Sequence, residues 1–392
     1  MERLSIPPRD DWRETAEGLG FTFHTQYDKP YWVEDAAYAF TLDQIERDLE
    51  APTAELWRMC LAVVDRAARD AEVLASMAIP KAWWGEVRAS WLRRDRDLYA
   101  RFDLSYDGHG PAKMLALNGD GPTGLYESAF FQWLWLEEAK ERGLIPRGAG
   151  QFNRLQQALI DGIAGLSDDD GLILHLASSR DSDEDMGTVL YLRDCAHQAG
   201  LAAEIIAIED IGVDAAGRLT DLQDRVIESL FKLYPWEFLI TETYGAHLKG
   251  PRAPRLIEPA WKLVLSNKGL LPWLWRLFPG HPNLLPAFFD GDPGTTALAP
   301  CHVRKPLYSR EGANVEIIDP AGRVKTDGPY GVEGYVLQNL APLPVFTGDD
   351  GTANHAMVGS WVMAGRACGI GMREDDGPIT VNTSRFVPHL IR

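Results

Sequence analysis

At 392 residues the chain is longer than a single hydrophobic core usually supports, so two or three packed lobes with a cleft between them are expected. Its composition, 45% hydrophobic and 24% charged, excludes a disordered or fibrous chain. The net charge of −18 argues against a nucleic-acid partner and for small-molecule ones, because binding to a phosphate backbone draws on clustered lysine and arginine. Cys60, Cys195, Cys301 and Cys368 are scattered without a CxxC pair, which suits reduced thiols in a cytoplasm. No apolar run of about 18 residues and no apolar leader segment is found, so neither export nor membrane insertion is expected.

In chain order, Thr41 with Gln44 makes a capping box for a helix over residues 42–78, with an interruption expected near Pro52. Residues 98–117 alternate around Gly108-His109-Gly110 and predict a hairpin. Helical spacing returns over 128–142 and 152–166. Residues 171–210 then run apolar, helical and apolar, the order of a βαβ unit. This small α/β lobe is expected to end near residue 245. Beyond Pro251, prolines break the chain into short strands, loops and one Trp-rich helix over 270–278. Residues 303–307 and 315–318 predict a second hairpin around a glycine-bearing turn, Ser309-Arg310-Glu311-Gly312-Ala313-Asn314.

Several of these segments carry groups suited to a triphosphate. Lys268 follows an apolar run, and Lys305 stands on the second hairpin, whose turn offers the backbone N–H groups of Ser309 to Gly312. The strand 335–339, read as an exposed linker, offers Gln338 and Asn339 to an adenine ring. Asp103 and Asn118, from the first hairpin, are oxygen donors of the kind that share Mg²⁺ with phosphate. Each has a plainer reading as well. A lone lysine is usually solvated, and Asn-Gly-Asp-Gly-Pro is ordinary turn chemistry.

Taken together, the motifs Arg-x-Asp at 101–103, Asn-x-Asp-x-Pro-Thr-x-Leu-x-Glu at 118–127, LYPWE at 233–237, EPAWK at 258–262, SNK at 266–268, HPNLLPA at 281–287, KPxxSREGANV at 305–315 and GxREDxxxIT at 371–380 resemble the glutathionylspermidine synthetase family. The resemblance extends over essentially the whole chain. It implies an α+β, ATP-grasp fold with a small βαβ substrate lobe. The implied division is an amino-terminal helical and metal-site part over 1–165, the substrate lobe over 166–248 and a nucleotide-binding part over 249–392. The implied activity is an ATP- and Mg²⁺-dependent ligase that joins a small-molecule carboxylate to an amine through an acyl-phosphate.

Carried over by position, Arg101 stabilises the transferring phosphoryl group, Asp103 and Asn118 hold magnesium, and Lys268 and Lys305 grip the phosphates. Arg373, in a segment expected to be mobile, closes on the reaction centre. Glu184 and Asp185 in the first turn of the middle helix are candidates for the amine, or else ordinary partners of the helix dipole. One position departs from the pattern: Ala116 stands where the family has a metal-binding glutamate, with a water or Asp120 as the available replacements. That substitution keeps open an alternative, a degenerate nucleotide-binding member acting as sensor or scaffold. The amidase part of the family's bifunctional members has no counterpart in the sequence, so amide hydrolysis is not expected.

Overall fold

The structure, a computed structural model, describes residues 1–26, 28–166, 172–349 and 351–392. Tyr99–Ser105 and Lys113–Asn118 pair antiparallel as their alternation suggests, with Arg101 opposite Asn118 and Asp103 opposite Ala116. Tyr99–Ser105 also pairs with Ala353–Met363, which pairs with Arg366–Asp375, and that with Arg385–Val387. With Val345–Thr347 these strands form a six-stranded sheet. Successive side chains of a strand point to opposite faces, so Val358 and Val362 join the cluster around Ala51–Arg69, while Trp361 and Met363 join the one around Leu155–Ala164. Both faces of the sheet are therefore covered, and its two longest strands are buried almost throughout.

The expected capping box is present: Gln44 N–H donates to Thr41 Oγ1 at 3.2 Å, and Thr41 N–H to Gln44 Oε1 at 2.9 Å. The interruption expected near Pro52 is not. Gln44–Glu50 forms wide π-helical turns that pass into the α-helix Ala51–Arg69, with Pro52 in its first turn, where no intrahelical N–H donor is required. The helix breaks instead at Asp70, which is extended (φ −131°, ψ 108°) and whose carboxylate caps Glu72 N–H at 3.0 Å.

Ile173–Ser178, the helix Asp183–Gln198 and Ala202–Ala207 form the expected βαβ unit with parallel strands. Ser229–Leu233 and Arg255–Ile257 extend this parallel sheet, so it takes a strand from beyond residue 248. Residues 167–171, at the expected start of the lobe, lie outside the described residues. The second hairpin pairs His302–Pro306 with Glu316–Asp319, inside a five-stranded sheet that runs from Ala287–Phe289 to Gly322–Lys325. The whole is a mixed α/β fold, and no helix among the described residues is long and apolar enough to cross a membrane.

Two buried ion pairs fasten the sheets to one another. Lys232 of the parallel sheet pairs with Asp120, whose second oxygen accepts Trp236 N–H at 2.8 Å. Glu258 and Lys262, one helical turn apart, pair at 2.8 Å with both side chains fully buried. Glu258 accepts the N–H groups of Leu98 and Tyr99, at 3.2 and 2.8 Å, and Lys262 donates to the Tyr99 carbonyl at 2.8 Å. The strand that carries Arg101 and Asp103 is thereby fixed at its first residue. Removing one partner of such a pair leaves an uncompensated buried charge. Lys262→Met is therefore expected to lose about 3–5 kcal/mol of unfolding free energy in denaturant titration, with partial recovery in the Glu258→Gln/Lys262→Met double variant; a loss in the single variant under about 1 kcal/mol would contradict this role.

Candidate active site

A cavity of about 390 Å³ opens between the first hairpin, the 302–319 hairpin and residues 378–382. Arg101, Asp103, Asn118, Lys268, Lys305 and Arg373 all line it, as do Ser309, Gly312 and Asp185. Gln338, Asn339 and Glu184 do not.

Arg101 projects from the pinned strand, donates from Nε to Asp103 Oδ1 at 2.9 Å and from Nη1 to the Thr123 carbonyl at 2.6 Å, and lies over the Trp361 ring at 5.6 Å. Asn118 Nδ2 donates to Asp103 Oδ2 at 2.7 Å, so the two candidate metal-binding side chains touch across the hairpin. They supply a carboxylate and an amide carbonyl on the cavity wall, which fits a magnesium ion that completes its shell with water and phosphate oxygens. The methyl group of Ala116 faces Asp103 in register. Asp120 is no replacement for a glutamate there, because it is buried against Lys232 and Trp236 N–H.

Lys305 Nζ donates to the Leu115 carbonyl at 2.8 Å and to Gln338 Oε1 at 2.7 Å, and Lys268 has no carboxylate within ion-pair distance among the described residues. Burial, and then the charge of Lys268, push Lys305 down to about 7; burial and Arg310 push Lys268 down to about 8. The 309–314 turn is locked in place. Arg310 Nε donates to Glu237 Oε1 at 3.0 Å, and Ser309 Oγ to the Ala313 carbonyl at 2.7 Å. Gly312 sits at φ +70° with the Thr380 carbonyl where a Cβ would lie, so the turn packs directly on the 378–382 segment.

Two expectations need correction. Tyr335–Asn339 is an interior strand, paired on one side with Ala287–Phe289 and on the other with His302–Pro306. The strand is paired on both sides and the Gln338 side chain is engaged by Lys305 Nζ and the Met114 carbonyl, so Gln338 is not offered to an adenine ring, and Asn339 stands outside the cavity lining. The cavity is lined instead by the next residues, 340–343, and Ala341 makes no backbone hydrogen bond among the described residues. Arg373 also does not sit in a mobile segment. Its strand is paired on both sides, and its guanidinium is held by the carbonyls of Val381, Asn382 and Ser384 at 2.7 to 3.3 Å.

Sequence reasoning passed over Arg310 and Glu237, although both lie in quoted motifs, and Glu127, which ends the 118–127 motif. Glu127 is fully buried, accepts the Tyr31 hydroxyl at 2.5 Å and lies near Glu184 and Arg373.

A bound polyanion restores the lysine charges that burial suppresses, so binding takes up protons wherever free Lys305 and Lys268 are partly neutral. Calorimetry of inorganic tripolyphosphate binding near pH 7.5, in buffers of different ionisation enthalpy, is expected to report net proton uptake and an affinity that falls above pH 8. Zero uptake would mean that the lysines do not receive the phosphates.

Residues 3–392 match the family model described as glutathionylspermidine synthase preATP-grasp. A Haemophilus influenzae protein named "Putative acid–amine ligase" is 38% identical, over 99% of each chain. The bifunctional glutathionylspermidine synthetase/amidase of Escherichia coli is 26% identical over 91% of this chain, which spans 60% of that protein's length. Among solved structures, a glutathione synthetase-like effector of Globodera pallida superposes with a TM-score of 0.59 at 11% identity, covering 99% of this chain and 100% of that one, a likeness of fold.

Proposed function

The chain belongs to the glutathionylspermidine synthase preATP-grasp family, and from that premise we propose that it is an ATP-grasp ligase that activates a carboxylate as an acyl-phosphate and couples it to an amine. The observation that carries this reading is the convergence of Arg101, Arg373, Lys268 and Lys305 on one cavity beside Asp103, in a chain whose net charge is −18. Such a concentration of cations in an acidic protein calls for a polyanion.

In this reading Lys268 and Lys305 hold the phosphates of ATP, and residues 340–343 receive the base. Asp103 and Asn118 hold Mg²⁺, which when bound neutralises phosphate charge. A carboxylate is a poor electrophile until its oxygen is phosphorylated. Arg101, fixed by Asp103, Thr123 and Trp361, is already oriented for the charge that spreads over the transferring phosphoryl group, and fixed donors of this kind cost no reorganisation during the reaction. Arg373 faces the same space from the opposite strand of the sheet. A glutathione-like acid and a polyamine-like amine are the substrates to try first, from the names of the relatives. A cytoplasmic location fits the four free cysteines.

ADP release by the purified protein with Mg-ATP is expected to rise when glutathione and spermidine are added together, and to fall by about 10²-fold or more in Arg101→Ala. No release under any condition would favour the alternative, a catalytically weak nucleotide-binding member. The methyl of Ala116 opposite Asp103 is the observation behind that alternative. Ala116→Glu is then the informative variant: a large gain in Mg²⁺-dependent turnover would mark a lost ligand, and an unchanged rate a site that manages with Asp103 and Asn118.

A further inference from the structure

A second cavity, of about 730 Å³, opens on the other side of the middle helix, Asp183–Gln198. That helix lines it with Gly187, Leu190, Tyr191, Asp194 and Gln198. At about 3.6 residues per turn these positions fall on the face opposite Asp185, the helix's contribution to the first cavity. Tyr126, Ala129, Phe130 and Trp133 line it from the π-helical segment Glu127–Phe131 and its flanks, at the three- and four-residue spacing of one helix face. The two cavities share no lining residue.

The wall of this cavity is aromatic. Tyr126, Phe130, Trp133 and Tyr191 form one continuous surface, with neighbouring ring centroids 5.5 to 6.4 Å apart. Buried rings alone would be core packing, but here the apolar surface continues into solvent: Trp133 is 46% exposed, and Leu190 and Leu19, which also line the cavity, are 41% and 45% exposed. Large apolar side chains left uncovered around one opening mark a binding surface, and the volume lies within the range of small-molecule sites, about 300–1,000 Å³.

The charges say what kind of molecule fits. Arg154 and Asp194 are the two charged side chains in the lining. Arg154 is already engaged outside it, paired with Glu50 and laid over the Phe152 ring at 5.2 Å. Asp194 has no cation within ion-pair distance among the described residues; its Oδ2 accepts Gln198 Nε2 at 2.7 Å, an uncharged partner. The charge left unneutralised is therefore a carboxylate, beside ring faces that are themselves negative, in a chain of net charge −18. We propose that this cavity is a second ligand site and that it takes an organic cation with an apolar body. The cationic nitrogen is held by Asp194 and by the faces of the aromatic wall, and the body covers Leu19, Leu190 and Trp133. The proposal is independent of the chemistry assigned to the first cavity.

The test is calorimetric titration of the full chain with three probes that share one body and differ in charge: 4-phenylbutylammonium, 4-phenylbutan-1-ol and 4-phenylbutanoate. The ammonium is expected to bind about tenfold or more tightly than the alcohol, and the carboxylate to bind most weakly. Asp194→Asn is expected to remove most of the difference between ammonium and alcohol while leaving the affinity for the alcohol nearly unchanged. Trp133→Leu is expected to weaken the ammonium by about fivefold. Both side chains are exposed, so neither variant removes core packing, and retained binding of the alcohol in Asp194→Asn confirms that the cavity is intact. Equal affinity for all three probes, or no binding of the ammonium, would overturn the proposal. So would an ammonium affinity unchanged in Asp194→Asn, which would place the cation elsewhere on the protein.

Discussion

Two fully buried ion pairs hold the cavity's walls in register: Glu258 with Lys262, and Asp120 with Lys232. Each is costly to bury and is retained only because the ions are also bonded to backbone. Glu258 and Lys262 clamp the N–H and C=O of Tyr99 at the start of the strand that carries Arg101 and Asp103. Asp120 clamps Lys232 and the N–H of Trp236, next to Glu237, which in turn holds Arg310 of the glycine turn. The three sheets are thus joined by charges that do not themselves line the cavity; of those that do, Arg101 pairs with Asp103 and Arg310 with Glu237, while Lys268 and Lys305 have no carboxylate within ion-pair distance among the described residues.

Burial and pairing compete at each lysine. Lys262, with Glu258 and Asp97 close by, has its pKa raised despite complete burial, Lys232 is lowered by burial even beside Asp120, and Lys305 and Lys268, with no carboxylate in ion-pair contact among the described residues, are pushed down to about 7 and about 8. On the other side of the cavity the relation is reversed, and Asp185 is pushed up by burial and by Glu184. The cavity's cations come from the central sheet (Arg101 and Arg373), from Lys268 and from the 302–319 hairpin (Lys305 and Arg310), and its carboxylates from the central sheet (Asp103), the middle helix (Asp185) and the same hairpin (Glu311 and Asp319). A cavity lined by charges of both signs suits a reaction between a phosphorylated acid and an amine.

The sequence made the local elements legible wherever a period or a turn residue declared them. The alternation of 98–117, the βαβ order of 171–210 and the turn at 309–314 all appear as strands, helix and hairpin. Arg101, Asp103, Asn118, Lys268 and Lys305 were legible through motif resemblance, and they meet in one cavity. What escaped was decided by long-range pairing. Whether Tyr335–Asn339 is an exposed linker or an interior strand depends on two partner strands, Ala287–Phe289 and His302–Pro306, distant in sequence, and nothing local distinguishes the two. Pro52 reads as a helix breaker until the π-helical turns before it are seen to leave it in a first turn. Asp120 reads as a loop acid because its partner Lys232 is 112 residues away.

The central claim is that the cavity transfers a phosphoryl group from ATP to a carboxylate before any amine is involved. It is tested most directly by positional isotope exchange, with ATP carrying oxygen-18 in the bridge between the β and γ phosphorus atoms, incubated with the protein, Mg²⁺ and glutathione in the absence of amine. Reversible formation of an acyl-phosphate frees the β-phosphate to rotate, and the account predicts that the label scrambles into its non-bridging oxygens only when the acid is present. Label that stays in the bridge, under conditions where added amine still yields amide, would contradict it.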